Sequence, residues 1–306
     1  MPSPASLPRW PTLKLERELG GRVCGVDEAG YAPIAGPLVA AAVVLPAGPR
    51  PRQLRGLTDS KLLSAEARER FFEVIRRVAD VGVGMASVAE IDRLNVFQAD
   101  LLAMRRAVES LDAPPAAALV DGRGAPALAC PVRTVVAGDR RCLSVAAASV
   151  VAKVVRDRLM QSLDRERPGY GWRTNVGYGT DQHYLGLLRL GPCEHHRRSF
   201  APVATLFGPG SAGLRRLRFE APSRRPRLEG LQLLELRRDL HAVFDADGFH
   251  LGQVKNLRGR WTFQATGYGE NGEPVHGAGP CARCHGVRVD APEPWAVRAL
   301  LAATGA

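Results

Sequence analysis

The chain has 306 residues, of which 45% are hydrophobic, and a formal net charge of +11 at pH 7. This length suffices for one large domain with a real core and a smaller second domain. The sequence lacks both the run of about 18 apolar residues that a membrane span requires and the basic start and apolar centre of a secretory signal. We therefore expect a cytoplasmic protein whose six cysteines are free thiols in a reducing compartment.

The positive charge is unevenly distributed along the chain. Residues 1–227 carry a balance of +12, whereas residues 228–306 carry a balance of −1. An excess of Lys and Arg confined to one part of a protein favours a polyanionic partner, most often nucleic acid.

In chain order, the first elements are two apolar strands, at residues 22–30 and 37–46, joined by a turn region rich in Gly and Pro. The hydrophobic periodicity then changes between that of a helix and that of a strand. It predicts helices at 64–80, 91–111 and 143–166, and strands at 81–88, 116–122 and 130–139. Strands that alternate with helices predict an α/β domain built on a mixed sheet.

This pattern ends near residue 208, where a Gly-rich and then an Arg- and Pro-rich stretch has the composition of a flexible link. We place a main domain at 1–208, a basic linker at 209–227 and a small C-terminal module at 228–306. Within this module, the segment VKNLRGRWTFQATGY predicts two strands about a turn. We therefore expect the module to be β-rich or α+β.

Four acidic residues of the main domain share an unusual context. Asp27 and Glu28 are adjacent at the end of the first apolar strand, and Asp121 ends another apolar strand. Asp157 lies in the predicted helix at 143–166, called here the Ala-rich helix. Adjacent buried carboxylates repel each other, and a divalent cation would compensate them. The alternative is that Asp121 is a turn residue and that Asp157 is solvated or paired with an Arg. Spacing alone leaves both interpretations open.

Seven stretches of the main domain, in order along residues 20–205, are similar to ribonuclease HII, the type 2 ribonuclease H family. They are GVDEAG with GPLVAAAVVL, LTDSKLLS, EIDRLNVFQADLLAMRRAV, LVDG, GD with LSVAAASVVAKVVRDRLM, PGYGW with VGYGTDQH, and HHRRSFAPV. The resemblance implies a ribonuclease H-like mixed sheet flanked by helices. It also implies that Asp27, Glu28, Asp121 and Asp157 are catalytic and bind two Mg²⁺ or Mn²⁺ ions.

The function that the resemblance implies is endonucleolytic. Members of the family hydrolyse the RNA strand of RNA–DNA hybrids and cut at ribonucleotides embedded in duplex DNA, which leaves 3′-hydroxyl and 5′-phosphate ends. The expected partners are therefore these two nucleic acids. Because the family pattern ends near residue 205, the C-terminal module is an addition, and we expect it to position a protein partner or the substrate.

Further positions are candidate substrate contacts. By resemblance, Lys61 contacts a substrate phosphate and Tyr178 stacks near the ribose-to-deoxyribose junction. Ser144 starts the Ala-rich helix, where it serves either a phosphate or the helix cap. Lys153 lies one turn before Asp157 and either pairs with it or touches substrate. His183 also matches a family position, but we expect a structural role for it.

The triplet Gly30, Tyr31 and Ala32 departs from the family pattern, which is typically Gly-Arg-Gly and helps to read the ribonucleotide junction. Tyr31 replaces a permanent cation by a neutral ring. Ala32 adds a Cβ where Gly could approach a backbone closely. We predict that cleavage survives but that selectivity for single ribonucleotides is weaker than in the family.

Cys281 to His285 of the C-terminal module spell CARCH, the pattern of a c-type haem attachment site. Haem attachment does not fit a chain without an export signal. Structural zinc usually shows two ligand pairs, whereas Cys281 and Cys284 have only His285 and His276 as further candidates. We favour coincidence within a β-rich module, and expect neither haem nor zinc.

Three functions thus compete. The leading hypothesis is a metal-dependent endoribonuclease, because all four family acids are present. The second is a nucleic-acid-binding relative with weak or altered cleavage and reduced junction selectivity. The third, an electron carrier, depends on the Cys281 motif alone.

Overall fold

A computed structural model describes residues 10–208, 217–222, 224–269 and 271–305. By its internal contacts the chain divides into two compact units. The first comprises the described residues up to Tyr178 together with Cys193–Phe200, and the second comprises Gly179–Pro192 together with the described residues from Ala201 onward. The predicted linker at 209–227 lies partly outside the described residues. The predicted domain boundaries therefore stay a prediction, although the contacts group part of 1–208 with the C-terminal module.

The first unit is built on a five-stranded mixed sheet, as predicted. The strands are β1 (Val23–Ala29), β2 (Leu38–Val44), β3 (Asp80–Ala86), β4 (Ala117–Asp121) and β5 (Val132–Val135). Their order is β3-β2-β1-β4-β5. The pairs β1–β2 and β2–β3 are antiparallel, whereas β1–β4 and β4–β5 are parallel. The parallel pair β1–β4 places the carboxyl ends of two strands side by side.

Helices cover both faces of this sheet. They are α1 (Lys14–Leu19), α2 (Ala65–Val78), α3 (Val88–Leu94), α4 (Val96–Glu109), α5 (Leu143–Glu166) and α6 (Trp172–Asn175). Alternate residues of β2 point to opposite faces. Accordingly, Ala40 and Ala42 belong to the core on the α4 side, whereas Ala41 and Val43 pack with α5. All seven residues of β2 are buried, which explains why its sequence is apolar without alternation.

The predicted single helix at 91–111 is wrong, because the structure divides it at Asn95 into α3 and α4. Asn95 has φ +69°, a left-handed value that Asn tolerates better than most residues. Its side-chain oxygen accepts a hydrogen bond of 3.1 Å from the amide of Gln98. Asn95 therefore ends one helix and caps the next.

Helix α5 lies against β1 at Gly25. A Cβ built on Gly25 would lie 2.2 Å from the carbonyl carbon of Ser144 and from the amide nitrogen of Val145. No side chain fits at this distance. Gly25 thus sets the close approach of α5 to the strand that ends in Asp27 and Glu28.

The second unit contains a separate antiparallel sheet and three helices. The strands are β6 (Gln232–Arg237), β7 (Leu240–Phe244), β8 (His250–Leu257), β9 (Arg260–Tyr268), β10 (Pro274–His276) and β11 (Arg288–Val289), and the helices are α7 (Asp181–Leu190), α8 (Ala201–Phe207) and α9 (Pro294–Ala303). The sheet order is β10-β9-β8-β7-β6, with β11 beside β9. The predicted strand–turn–strand at 254–268 is confirmed as β8 and β9. The described residues contain no helix that is both long enough and apolar enough to span a bilayer.

Candidate active site

The adjacent acids of the sequence lie at the carboxyl end of β1. The Asp27 side chain is 5% exposed, and its Oδ1 accepts a hydrogen bond of 2.8 Å from the amide of Glu28. Asp121 ends the neighbouring parallel strand β4, and its Oδ1 accepts a hydrogen bond of 2.6 Å from the amide of Gly138. The pairing of Val26 with Val120 brings the two strand ends side by side. Three of the four predicted acids therefore share one edge of the sheet.

Electrostatic repulsion within this group is strong. Burial, followed by the charges of Glu28, Asp121 and Asp139, raises the pKa of Asp27 well above its usual value. Burial and the charge of Asp121 raise the pKa of Glu28. A raised carboxyl pKa means that the ionised form is disfavoured in the absence of a compensating cation. This is the environment expected of acids that receive a divalent ion.

Asp139 is a member of the acid cluster that the sequence analysis missed. It lies in a short 3-10 turn, Gly138–Arg140, between β5 and α5, and is 7% exposed. Burial, Asp59 and Asp121 raise its pKa to about 6. A signal for it existed, because the predicted strand at 130–139 ends in Asp139 just as the preceding strand ends in Asp121.

The structure gives Asp157, the fourth predicted acid, a different environment. Its carboxylate forms a salt bridge of 2.7 Å with the ammonium of Lys153, one turn earlier in α5. The pairing of Lys153 with Asp157 is therefore the alternative that the structure supports for Lys153. The interactions that raise the pKa of Asp27 come from Glu28, Asp121 and Asp139. These charges, together with the pairing of Asp157 with Lys153, favour Asp139 over Asp157 as the fourth acid of the cluster.

In the described part of the chain, no three His, Cys, Asp or Glu side chains already converge in an arrangement that could hold a metal ion. The chemistry of the acid cluster nevertheless fits a hard divalent ion, because Asp27, Glu28, Asp121 and Asp139 offer carboxylate oxygens. We conclude that these four side chains have the type of donor atom that Mg²⁺ and Mn²⁺ prefer.

A fifth acid, Asp100 of α4, was also missed. It is 7% exposed, and its buried Oδ1 has no hydrogen-bond partner among the described atoms. Burial and the charges of Glu28 and Asp121 raise its pKa to about 8. An acid among the otherwise apolar inward positions of a helix was the signal in the sequence. Asp100 therefore adds to the negative charge that the cluster accumulates when its acids ionise.

Lys61 lies beside the acid cluster, as its predicted role requires. Burial alone would lower the pKa of Lys61, but Asp59, Asp27, Asp139 and Glu28 together raise it. The amide of Lys61 donates a hydrogen bond of 2.9 Å to Oδ1 of Asp59, which caps this short turn. Lys61 is thus a cation held within electrostatic reach of the acids.

Ser144 does not have the environment of a phosphate contact. It is fully buried, and its amide and hydroxyl both donate hydrogen bonds to Oε1 of Glu16, at 2.9 and 2.8 Å. A carboxylate from α1 therefore already occupies the positive end of α5. The structure therefore favours the structural alternative for Ser144, and a phosphate contact there stays a prediction.

The triplet and Tyr178 lie close together. Gly30 follows β1, and the side chains of Tyr31 and Tyr178 are 39% and 45% exposed. The amide of Ile34 donates a hydrogen bond of 2.9 Å to the carbonyl of Gly177, directly before Tyr178. Ala32 is exposed as well. Both aromatic rings are therefore exposed. Burial and the charges of Asp100 and Glu28 raise the pKa of Tyr31, which indicates that Tyr31 lies within electrostatic reach of these acids.

The remaining motif residues of the sequence lie in the second unit. His183 is fully buried within α7, in agreement with the structural role expected for it. Cys281 and Cys284 are both buried in the apolar core below α9. The sulfur of Cys284 lies 2.7 Å from the hydroxyl oxygen of Thr304. Both thiols therefore belong to the packing of the C-terminal module, whereas His285 is exposed.

A five-stranded mixed sheet with helices on both faces, and an acid cluster at the ends of its adjacent parallel strands, define a protein with a ribonuclease H-like fold. The sequence model of one family, Ribonuclease HII, matches residues 24–203. The chain belongs to the ribonuclease HII family, and it is therefore a ribonuclease H, a hydrolase of the endonuclease type.

Individual relatives agree with this assignment. The chain is 56% identical over 195 residues to the ribonuclease HII of Paramagnetospirillum magneticum, which covers 63% of this chain and 97% of the relative. The crystal structure of ribonuclease H2 from Pyrococcus horikoshii OT3 superposes with a TM-score of 0.55 at 26% identity, over 64% of this chain and 99% of that one. The structure of Bst-RNase HIII in complex with Mn²⁺ shows the same fold, with a TM-score of 0.50 at 22% identity, over 68% of this chain and 77% of that one.

Proposed function

We propose that this protein hydrolyses the RNA strand of RNA–DNA hybrids and also cuts at ribonucleotides embedded in duplex DNA, leaving 3′-hydroxyl and 5′-phosphate ends. The observation that carries the proposal is the group of buried and half-buried acids at the ends of β1 and β4, inside the part of the chain that matches the family. The balance of +12 over residues 1–227 supports a polyanionic substrate.

The proposed chemistry assigns distinct roles to the residues of the site. Asp27, Glu28 and Asp121, with Asp139 as the favoured fourth acid and Asp157 as the alternative, would hold two divalent ions, Mg²⁺ or Mn²⁺. Such ions activate the attacking water and stabilise the leaving oxygen when they are bound. The raised pKa values of Asp27, Glu28 and Asp139 mean that ion binding also releases protons from these three acids.

The substrate would lie across the surface formed by Lys61, the triplet and Tyr178. Lys61 offers its ammonium to a phosphate beside the acids. Tyr178 offers an exposed ring for stacking on a base or sugar. Gly30 offers main-chain groups, whereas Tyr31 and Ala32 offer less to a phosphate than Arg and Gly would. Substrate contact by Lys153 is a weaker proposal, because its ammonium is already paired with Asp157.

A second candidate is a nucleic-acid-binding relative with weak or altered cleavage and reduced junction selectivity. The observation that favours it is the exposed neutral pair Tyr31 and Ala32 at the edge of the site. We further propose that residues 1–208 are the catalytic domain, joined by the linker 209–227 to a C-terminal module that binds another protein. The six free cysteines fit action in the cytoplasm.

The test uses two labelled substrates, a full RNA–DNA hybrid and a DNA duplex with one ribonucleotide, with Mg²⁺ or Mn²⁺. The wild-type protein should cut both. Asp27→Asn and Asp121→Asn should lose cleavage by at least about 100-fold while still binding substrate, because these acids serve the chemistry more than the docking. Asp112→Asn, at an exposed position, is the matched control and should cut normally. Failure of the wild-type protein to cut either substrate would exclude the enzyme and leave the second candidate.

A further inference from the structure

Two buried arginines hold the loop that follows β1. Arg156 of α5 donates from Nε to the carbonyl of Pro37 at 3.1 Å and from Nη2 to the carbonyl of Ala35 at 3.1 Å. Its Nη1 donates to the carbonyl of Val176 at 2.8 Å. One guanidinium thus connects the loop of residues 30–37, called here the triplet loop, to the segment that leads into Tyr178.

Arg197 holds the other half of the triplet loop. Its Nη2 donates to the carbonyl of Gly30 at 2.6 Å and its Nη1 to the carbonyl of Tyr31 at 3.0 Å. Its Nε donates to the carbonyl of Gly36 at 3.0 Å. The two arginines therefore make six hydrogen bonds, all to main-chain carbonyls, and five of these carbonyls belong to the triplet loop.

Both side chains are deeply buried, with 1% of Arg156 and none of Arg197 exposed. Burial lowers the pKa of Arg156 to about 10, and burial with the nearby charge of Arg156 lowers the pKa of Arg197 to about 9. Two cations placed close together in an interior are unfavourable unless they are well solvated by hydrogen bonds. The carbonyls of the triplet loop supply this solvation, so that the loop has a single favoured path.

Gly30 fits this arrangement for a steric reason. It has φ +101°, and a Cβ at this position would lie 2.0 Å from Nε of Arg156. The first residue of the triplet is therefore in direct packing contact with the guanidinium. Because carbonyls of the loop point inward at the arginines, the side chains of Tyr31 and Ala32 remain exposed at the surface.

We infer that Arg156 and Arg197 are positioning residues for substrate recognition, which fix the backbone of the triplet loop and couple it to Tyr178. This inference rests on the proposed function, since it assigns the loop a role in binding the nucleic acid. The arginines bind main-chain carbonyls, which every residue type offers. The side chains at positions 31 and 32 therefore do not determine these hydrogen bonds.

Arginine is required at both positions because of its geometry. A guanidinium holds its donors in a fixed plane and can bind three carbonyls at once. The ammonium of Lys has its donors on one nitrogen at the end of a flexible chain. Arg→Lys therefore keeps the charge but cannot reproduce all three hydrogen bonds. A conservative substitution thus separates the positioning role from a general electrostatic one.

The experiment uses the full chain with Arg197→Lys, and Arg158→Lys as the control. Arg158 lies on α5 next to Asp157, but its side chain is 47% exposed and pairs with Glu69. Hydrogen exchange read by mass spectrometry should show the amides of the triplet loop, in which Pro33 and Pro37 have none, and of residues 176–178 exchanging at least about tenfold faster in Arg197→Lys, with β4 unchanged. The same variant should raise KM for the hybrid about fivefold or more while kcat stays within about twofold.

Unchanged exchange in the triplet loop would overturn the inference, and so would faster exchange without a rise in KM. If the wild-type protein cuts neither substrate, the proposed function fails, and the dissociation constant for the uncut hybrid replaces KM as the second readout. If Arg197→Lys does not fold, Gly30→Ala disturbs the same contact from the loop side with both arginines intact. It should give the same increase in exchange, and normal exchange in a folded Gly30→Ala protein would contradict the inference.

Discussion

Replacing Asp100 by Asn should stabilise the metal-free protein at neutral pH. Asp100 is buried in α4 with an unpartnered oxygen, and it faces the charges of Glu28 on β1 and Asp121 on β4. In the folded protein these influences raise its pKa from 3.8 to about 8. Between these two values the folded state binds a proton that the unfolded state has released. Stability is therefore lost as the pH rises through this window.

The size of the effect follows from the shift. One pKa unit corresponds to about 1.4 kcal/mol, so the protonation of Asp100 in the folded state costs up to about 5 kcal/mol at pH 7.5 and about 1.6 kcal/mol at pH 5. Asn resembles the protonated carboxyl in shape and has no such cost. The gain in the free energy of unfolding for Asp100→Asn should therefore be larger at pH 7.5 than at pH 5, by up to about 3 kcal/mol.

Urea denaturation in EDTA, followed by circular dichroism and by tryptophan fluorescence at both pH values, measures this difference. Asp112→Asn is the control, because Asp112 follows the same helix but is exposed. Adding Mg²⁺ should narrow the gap at pH 7.5, since a cation favours the ionised acids. An equal gain at both pH values, or the same gain in Asp112→Asn, would refute the reasoning.

Three further predictions concern other parts of the first unit. Asp139→Asn should reduce single-turnover cleavage of the hybrid by at least about 100-fold and Asp157→Asn by less than about tenfold; the reverse order would restore Asp157 as the fourth acid. The double variant Tyr31→Arg/Ala32→Gly should raise the ratio of single-ribonucleotide to hybrid cleavage about fivefold, the value of one added phosphate contact, and an unchanged ratio would show that the triplet does not set selectivity. Gly25→Ala should lower the free energy of unfolding by about 3 kcal/mol or prevent folding, because its Cβ would meet the backbone of Ser144 at 2.2 Å. A urea midpoint equal to that of the wild type would contradict this prediction.

Local signals in the sequence predicted the elements of the first unit well. Helix α5 has the predicted bounds, Leu143 to Glu166, because its run of small and apolar residues is uninterrupted by Gly or Pro. Helix α2 begins directly after Ser64, the first residue of the predicted helix at 64–80, and the hydroxyl of Ser64 caps it by accepting a hydrogen bond of 3.2 Å from the amide of Ala67. The break at Asn95 was missed because the hydrophobic periodicity continues through it. A single residue with left-handed backbone angles does not change that periodicity.

The composition of the site was harder to predict, since it depends on contacts between distant residues. Asp139 lies near Asp27 because β5 pairs with β4 and β4 pairs with β1. The local hydrophobic pattern does not predict this strand order. Ser144 is occupied by Glu16, 128 residues earlier in the chain. The family resemblance instead implied Asp157, whose helical neighbour Lys153 is its partner in the structure. Two strands of the C-terminal module, β8 and β9, could be predicted from the sequence, but not the other strands or the order of the sheet.

The first unit holds carboxylates and guanidiniums in its interior and solvates several of them with main-chain groups. Asp27 and Asp121 accept hydrogen bonds from amides, whereas Arg156 and Arg197 donate to carbonyls. Had the arginines paired with the acids instead, the acid cluster would be less negative and its attraction for divalent cations weaker. Using carbonyls as partners leaves the negative charge of the cluster available to cations and gives the triplet loop a rigid support. Metal binding and substrate recognition therefore depend on separate buried charges, which is why substitutions at Asp100 and at Arg197 should affect different measurements.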